Sequence, residues 1–192
     1  MPKNLIKEGD VAIDTETMGL NIKRDRLCVL QLSYGDGNAY LVKFNKDYSA
    51  PNLRKILEDK KRQKIFHFAR FDMASIKYYL GVDLDNIFCT KISSKLVRTY
   101  TDYHGLKELC RELLGVNLSK QQQSTDWGGL DLTKEQIDYA ASDVLYLHRL
   151  RDILKNMLIR EGRLDLAQNI FNFLHNRVDL DLGGWEGDIF QH

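Results

Sequence analysis

The chain has 192 residues, 43% of them hydrophobic and 29% charged, enough for a sizeable buried core. Its 28 basic residues are balanced by 27 acidic ones, for a formal net charge of +1, which excludes a protein that grips nucleic acid by bulk positive charge. Cys28, Cys89 and Cys110 stand at wide, unpatterned intervals, which argues against a disulfide framework or a zinc site. No segment is apolar for long enough to be a signal peptide or a membrane span. The expectation is one domain over 1–192, cytoplasmic, with buried reduced thiols and no membrane contact.

Strand signals come first. Val11 to Thr15 reads as a strand and Leu27 to Ser33 as a second, more apolar one. Gly35-Asp36-Gly37-Asn38 is a turn, followed by Ala39 to Val42. The short separations favour antiparallel hairpins. Pro51 opens a helix carrying Leu53, Ile56 and Leu57. Ile65 to Phe68 is a buried strand, and a helix from near Phe71 to Leu80 stops at Gly81. Asn86 to Cys89 is a short strand. Leu106, Leu109, Cys110, Leu113 and Leu114 mark a helix ending at Gly115. Thr133 and Gln136 form a capping box, after which Ile137, Ala140, Ala141, Val144, Leu147 and Leu150 recur at helical spacing. Ile170, Phe171, Phe173 and Leu174 fit a last helix. Leu180, Leu182, Trp185, Ile189 and Phe190 are too apolar for a free tail and are expected to pack on their own domain, with a partner subunit as the alternative. Hairpins followed by alternating strands and helices make this an α/β chain, a mixed sheet flanked by helices.

Four acids lie beside these core segments. Asp14 and Glu16 are two apart on a strand and leave the same face. Asp72 follows a buried strand at the start of a helix, a place that also suits an acid for its helix dipole. Asp143 lies on the strongest helix, with Tyr139 one turn earlier on the same face. Carboxylates held there repel one another and lose water, so they need a cation. Oxygen ligands of this kind suit Mg²⁺ or Mn²⁺, and a pair of such ions can cut a phosphodiester.

Taken together, Asp14-Thr15-Glu16-Thr17-Met18-Gly19-Leu20, His67 to Asp72, and Tyr139 to Leu147 resemble the three motifs of the DEDD exonuclease family. They are most similar to the DEDDy branch and its ribonuclease D members. The sister branch has histidine five residues before the last aspartate; here that position is Asp138. Asp126-Trp127 and Leu132 to Gln136 also resemble that family, and the likeness runs from about Val11 to about Leu154. It implies an RNase H-like fold and two divalent cations, Mg²⁺ or Mn²⁺, held by Asp14, Glu16, Asp72 and Asp143, directly or through water. Tyr139 would orient the attacking water. The implied reaction is stepwise 3′–5′ hydrolysis of RNA with release of 5′-mononucleotides, with single-stranded DNA as the second substrate.

The resemblance further implies that Thr17, Met18 and Leu20 meet the terminal nucleotide, with plain loop or core packing as the alternative for Met18 and Leu20. Lys120, with Gln121 to Gln123, is a polar loop within reach of substrate. Lys23, Arg24 and Arg26, or Lys91, Lys95 and Arg98, could line a phosphate path, with a solvated face as the plainer alternative. His67 reads as a hydrogen-bonded core histidine, and Ser142 as a small filler or a support for Asp143. Ribonuclease D carries helical nucleic-acid-binding domains after its nuclease domain; this chain ends soon after its third motif, so no pair of them is expected and no transfer RNA preference follows. Homo-oligomers through the C-terminal tail could supply further binding surface. A non-catalytic nucleic-acid-binding module is the rival reading, weakened because an acidic cluster repels phosphate. A scaffold acting through the tail around Trp185 is the third.

Overall fold

The computed structural model describes residues 5–119, 125–185 and 187–191. Five strands form one mixed sheet: β1 (Val11–Thr17), β2 (Leu27–Ser33), β3 (Tyr40–Lys43), β4 (Lys64–Phe66) and β5 (Ile87–Cys89), in the order β3-β2-β1-β4-β5. β1 to β3 pair antiparallel, as their short connections require, whereas β4 and β5 run parallel to β1 and are reached by crossovers. β2 is buried along its whole length, so both faces of the middle of the sheet are covered.

Helices α1 (Pro51–Leu57), α2 (Ala69–Leu80), α3 (Thr90–Val97), α4 (Leu106–Leu109), α5 (Lys134–Leu145), α6 (Leu147–Arg160) and α7 (Leu164–Gly183) supply that cover. Gly81 and Gly115 end their helical segments at positive φ, the conformation a side chain would resist. A π-helical turn, Cys110–Leu114, extends α4. α5 lies over β1, β2 and β3; α2 packs on β1, β2, β4 and β5; α7 packs on α2 and β5. No helix among the described residues is long and apolar enough to cross a membrane. The three cysteines are buried and free.

Several local expectations are corrected. β4 stops at Phe66, leaving His67 and Phe68 in a turn. α3 was not expected: its TKISSKLV segment buries Ser93 and Ser94 against the protein, so apolar periodicity barely marks it. The helix after Thr133 is two helices, which break at Tyr146 where the chain leaves the face over β1–β3 for contacts with α3 and β4. Ile137 is exposed, since Ala140 and Val144 form the inward face. The last helix runs for 20 residues. Of the apolar residues expected to pack on their own domain, Leu180 and Leu182 are half-buried near the end of this helix, Leu182 against the core, whereas beyond it Trp185, Ile189 and Phe190 are exposed. Arg177 holds only the tail backbone, at the Trp185 and Gly187 carbonyls.

Candidate functional site

The register of β1 builds the floor of the site. Asp14 lies opposite Gln31 on β2, and the Gln31 amide donates to the Asp14 carboxylate at 2.6 Å. Glu16, two residues on, shares that face. A bulge between Glu16 and Thr17 then ends the regular pairing. On the other side of β1 the ladder to β4 has only two rungs, Val11 to Lys64 and Ala12 to Ile65. Past that ladder Asp72, in the first turn of α2, accepts from the Thr15 backbone N–H at 3.0 Å and from its hydroxyl at 2.6 Å. Asp72 therefore rivets α2 to the centre of β1 as well as bringing charge.

The last wall comes from α5. Thr133 and Gln136 make the capping box in both directions. The Gln136 amide also donates to the Thr125 hydroxyl and to the Asp126 carbonyl, each at 3.1 Å. That tie anchors the loop carrying Trp127, which is fully buried and packs its ring 6.1 Å from that of Tyr139. One turn along, Asp143 faces the same cleft, with the Tyr139 hydroxyl favouring its ionised form.

Asp14, Glu16 and Asp143 bring carboxylate oxygens within 4.8 Å of one another. Burial, then repulsion from Asp72, Asp143 and Glu16, pushes Asp14 well above the ordinary carboxylate range. Burial with repulsion from Asp143 and Asp72 pushes Glu16 up to about 9. Burial raises Asp143 and Asp72 to about 7 each, even though Thr15 pulls Asp72 downward. Burial and the surrounding acids raise Tyr139, which stays a neutral phenol. Among the described residues no lysine or arginine is ion-paired with any of the four acids. The Gln31 carbonyl adds a buried oxygen without a hydrogen-bond partner among them. A donor set of crowded, unneutralised hard oxygens fits a divalent cation.

These groups line a cleft of about 800 Å³. Thr17, Met18 and Leu20 are on its rim; Thr17 donates to the Gly19 carbonyl at 2.5 Å, and Leu20 is 86% exposed. Lys120 to Gln123 lie outside the described residues. The basic candidates divide. Arg24 pairs with Asp25. Arg26 is spent on the Phe44 and Gly128 carbonyls. Arg98 is fully buried against Ser94, the Tyr103 carbonyl and Glu112. Arg26 and Arg98 are therefore structural; of the six, Lys91 lines the cleft. Ser142 bonds back to the Tyr139 carbonyl, 2.7 Å, and so does not support Asp143. His67 meets the Thr90 hydroxyl at 2.9 Å, and burial holds it neutral, down to about 3. Sequence reasoning missed Gln31, Thr15 and the Gln136 tie; only the strand register, which sets Gln31 across from Asp14, could have pointed to the first.

A family model described as 3′–5′ exonuclease matches residues 1–159. NrnC of Brucella melitensis bound to pGG has a TM-score of 0.92 at 55% identity, covering 95% of this chain and 90% of that one. The same protein with bound Mg²⁺ matches at 0.91 and 54% identity over the same shares. Escherichia coli RNase D, an exoribonuclease involved in structured RNA processing, matches at 0.78 and 26% identity, over 88% of this chain and 44% of that one. The ribonuclease D of Gluconacetobacter diazotrophicus is 31% identical over 163 residues, 85% of this chain and 41% of the relative. The chain thus spans about two-fifths of the curated relatives it matches. The fold is RNase H-like, with the mixed sheet and flanking helices of the RNase D structure.

Proposed function

This chain belongs to the 3′–5′ exonuclease family, and from that premise we propose that it removes nucleotides one at a time from the free 3′ end of RNA and releases 5′-mononucleotides. The observation that carries this reading is the crowding of Asp14, Glu16 and Asp143 within 4.8 Å, without a neutralising side chain among the described residues, on the floor of an open cleft. Asp14, Glu16 and Asp143 would hold Mg²⁺ or Mn²⁺, two ions in all, with Asp72 completing the set directly or through water. When bound, such ions supply charge neutralisation and water activation for phosphodiester hydrolysis.

The chain's own residues do the positioning. The Gln31 amide fixes the Asp14 carboxylate by a bond that favours its charged form. Thr15 holds Asp72 with two donors. Tyr139 keeps its proton, so it orients a water by hydrogen bonding and is not a free base. Its ring is braced by Trp127. Thr17, Met18 and Leu20 meet the terminal nucleotide from the exit of β1.

The packing of α7 on α2 and β5 supports reading 1–192 as one exonuclease domain. The buried free thiols suit a reducing cytoplasm. The exposed Trp185, Ile189 and Phe190 suit a homo-oligomer contact. Matched RNA and DNA oligomers, with free or blocked 3′ ends, test the activity in Mg²⁺, Mn²⁺ or chelator. Nucleoside 5′-monophosphates should appear in sequence from the free end of RNA, faster than from DNA. Internal cleavage, or equal rates in chelator, would overturn the reading.

A further inference from the structure

Gln31 sits where stability alone would not put a glutamine. It lies within β2, paired with Asp14 of β1 on one side and with Leu41 of β3 on the other, so its backbone cannot shift without breaking both ladders. The side chain is fully buried. Its amide N–H donates to Asp14 at 2.6 Å, while the carbonyl oxygen of the same amide has no hydrogen-bond partner among the described residues. Turning the amide over would set that oxygen against a carboxylate, so Asp14 decides which way round it lies. An unpaired buried oxygen is destabilising, and a methionine of similar volume would fill the space without one.

The register brings a second acid within range. Glu16 stands opposite Val29, two residues before Gln31, and is therefore its diagonal neighbour on the same face. Direct cross-strand pairs have Cβ atoms about 5 Å apart and diagonal ones about 7–8 Å, which a long side chain spans. Gln31 favours the ionised form of Glu16 as well. Val29 packs with Trp127 and Ala140, so this is the face that α5 covers, where Asp143 closes on the other two acids. One neutral group thus acts on two of the crowded carboxylates. A lysine or arginine in its place would neutralise them and compete with a metal ion. An amide spaces them and leaves their charge intact.

We propose that Gln31 is a positioning residue that sets the metal preference of the site: its amide holds Asp14 and Glu16 at the separation Mg²⁺ needs. Mg²⁺ is small and demands nearly ideal placement of its oxygen ligands, whereas Ca²⁺ accepts irregular sets. A pair of repelling carboxylates without a brace can still surround Ca²⁺ but presents a poor site for Mg²⁺. The inference rests on the exonuclease reading and adds the residue that makes its acidic floor selective. Groups behind the ligands commonly tune a site in this way.

The test compares wild type, Gln31→Met and Ser33→Ala. Ser33 is also buried in β2, but its hydroxyl serves the Gly35 N–H, so Ser33→Ala controls for loss of a polar group from the strand. Mg²⁺ and Ca²⁺ are titrated separately into each protein by calorimetry, without RNA. The Mg²⁺ Kd of Gln31→Met should rise about 10- to 100-fold, and its Ca²⁺ Kd should stay within about threefold of wild type. Ser33→Ala should change neither. The Mg²⁺ concentration for half-maximal RNA cleavage by Gln31→Met should rise in step, while KM for RNA at saturating Mg²⁺ stays near wild type. Thermal melts in chelator should match wild type, because the orphaned oxygen leaves with the amide. Equal loss of affinity for both ions, or no loss for either, overturns the proposal and leaves the exonuclease reading intact. A Gln31→Met protein that melts far below wild type in chelator makes Gln31 a residue of the fold and overturns the proposal too. A wild type that neither binds Mg²⁺ nor cleaves RNA overturns the exonuclease reading and the proposal with it.

Discussion

Asp181, near the end of α7, and Asp143, near the end of α5, are both helix carboxylates turned toward the body of the protein, yet their surroundings are opposed. Asp181 accepts two bonds from Arg70 at 2.6 Å and two from Arg177 at 2.6 and 3.1 Å. Burial would raise it, but the two guanidinium groups hold it below its ordinary value. Asp143 has burial and a tyrosine, with Asp14 and Glu16 as neighbours, and is raised to about 7. One carboxylate is finished by the fold. The other is left unfinished, and an arrangement that is unfavourable alone becomes favourable when a dication arrives.

Breaking the unfinished cluster should have the largest effect. Asp14→Ala and Asp143→Ala are expected to lower kcat by about a thousandfold or more, while the metal-free proteins melt above wild type because repulsion has been relieved. Wild-type rates in Asp14→Ala would remove that residue from the chemistry. Tyr139→Phe should be milder, about 10- to 100-fold in kcat, with metal affinity by titration calorimetry within a factor of about three of wild type.

The contrast also sets the sign of the pH response. Asp143 and Glu16 ionise near their reference values of 3.8 and 4.5 when unfolded, but near about 7 and about 9 when folded. Between those limits the native state binds more protons than the unfolded chain. The stability of metal-free protein is therefore full below the unfolded values and falls as pH rises through the folded ones. Thermal melts in chelator should drop between pH 5 and 9 at up to about 1.4 kcal/mol per pH unit per extra proton, and Mg²⁺ should flatten the decline. Asp181→Ala should behave in the opposite way. It should cost about 1–3 kcal/mol at neutral pH, and the difference from wild type should vanish in acid, where the paired carboxylate is protonated. Smallest of all, Thr133→Ala removes one half of the capping box and should cost about 1 kcal/mol in a urea melt.

What could be read from the chain beforehand follows the range of the forces involved. Hairpin order, the stops at Gly81 and Gly115 and the Thr133 capping box depend on neighbours close in sequence, and all of them stand in the structure. The four acids and Tyr139 were legible as a joint pattern, and the structure places them along one cleft. The supports were not legible. Thr15 and Asp72 are 57 residues apart, and Gln31 is 17 from Asp14. Nothing in local composition tells a glutamine that props a carboxylate from one that fills a strand. Charges misled for the same reason: Arg98 is wholly buried against Ser94, the Tyr103 carbonyl and Glu112, the last brought in by the π-helical turn. α3 hid because small hydroxyl residues, not aliphatic ones, form part of its inward face.

The bulge between Glu16 and Thr17 has an evolutionary consequence. Upstream of it, rungs on both edges of β1 lock the registration of Asp14; downstream, Thr17 still pairs with Leu27 and the Met18 N–H reaches the Arg26 carbonyl, and the chain between Met18 and Arg26 lies outside the ladder. Insertions or deletions between Met18 and Arg26 can therefore reshape the mouth of the cleft without displacing the acids by a single pleat. Descendants of this fold can change what they admit while keeping how they cut.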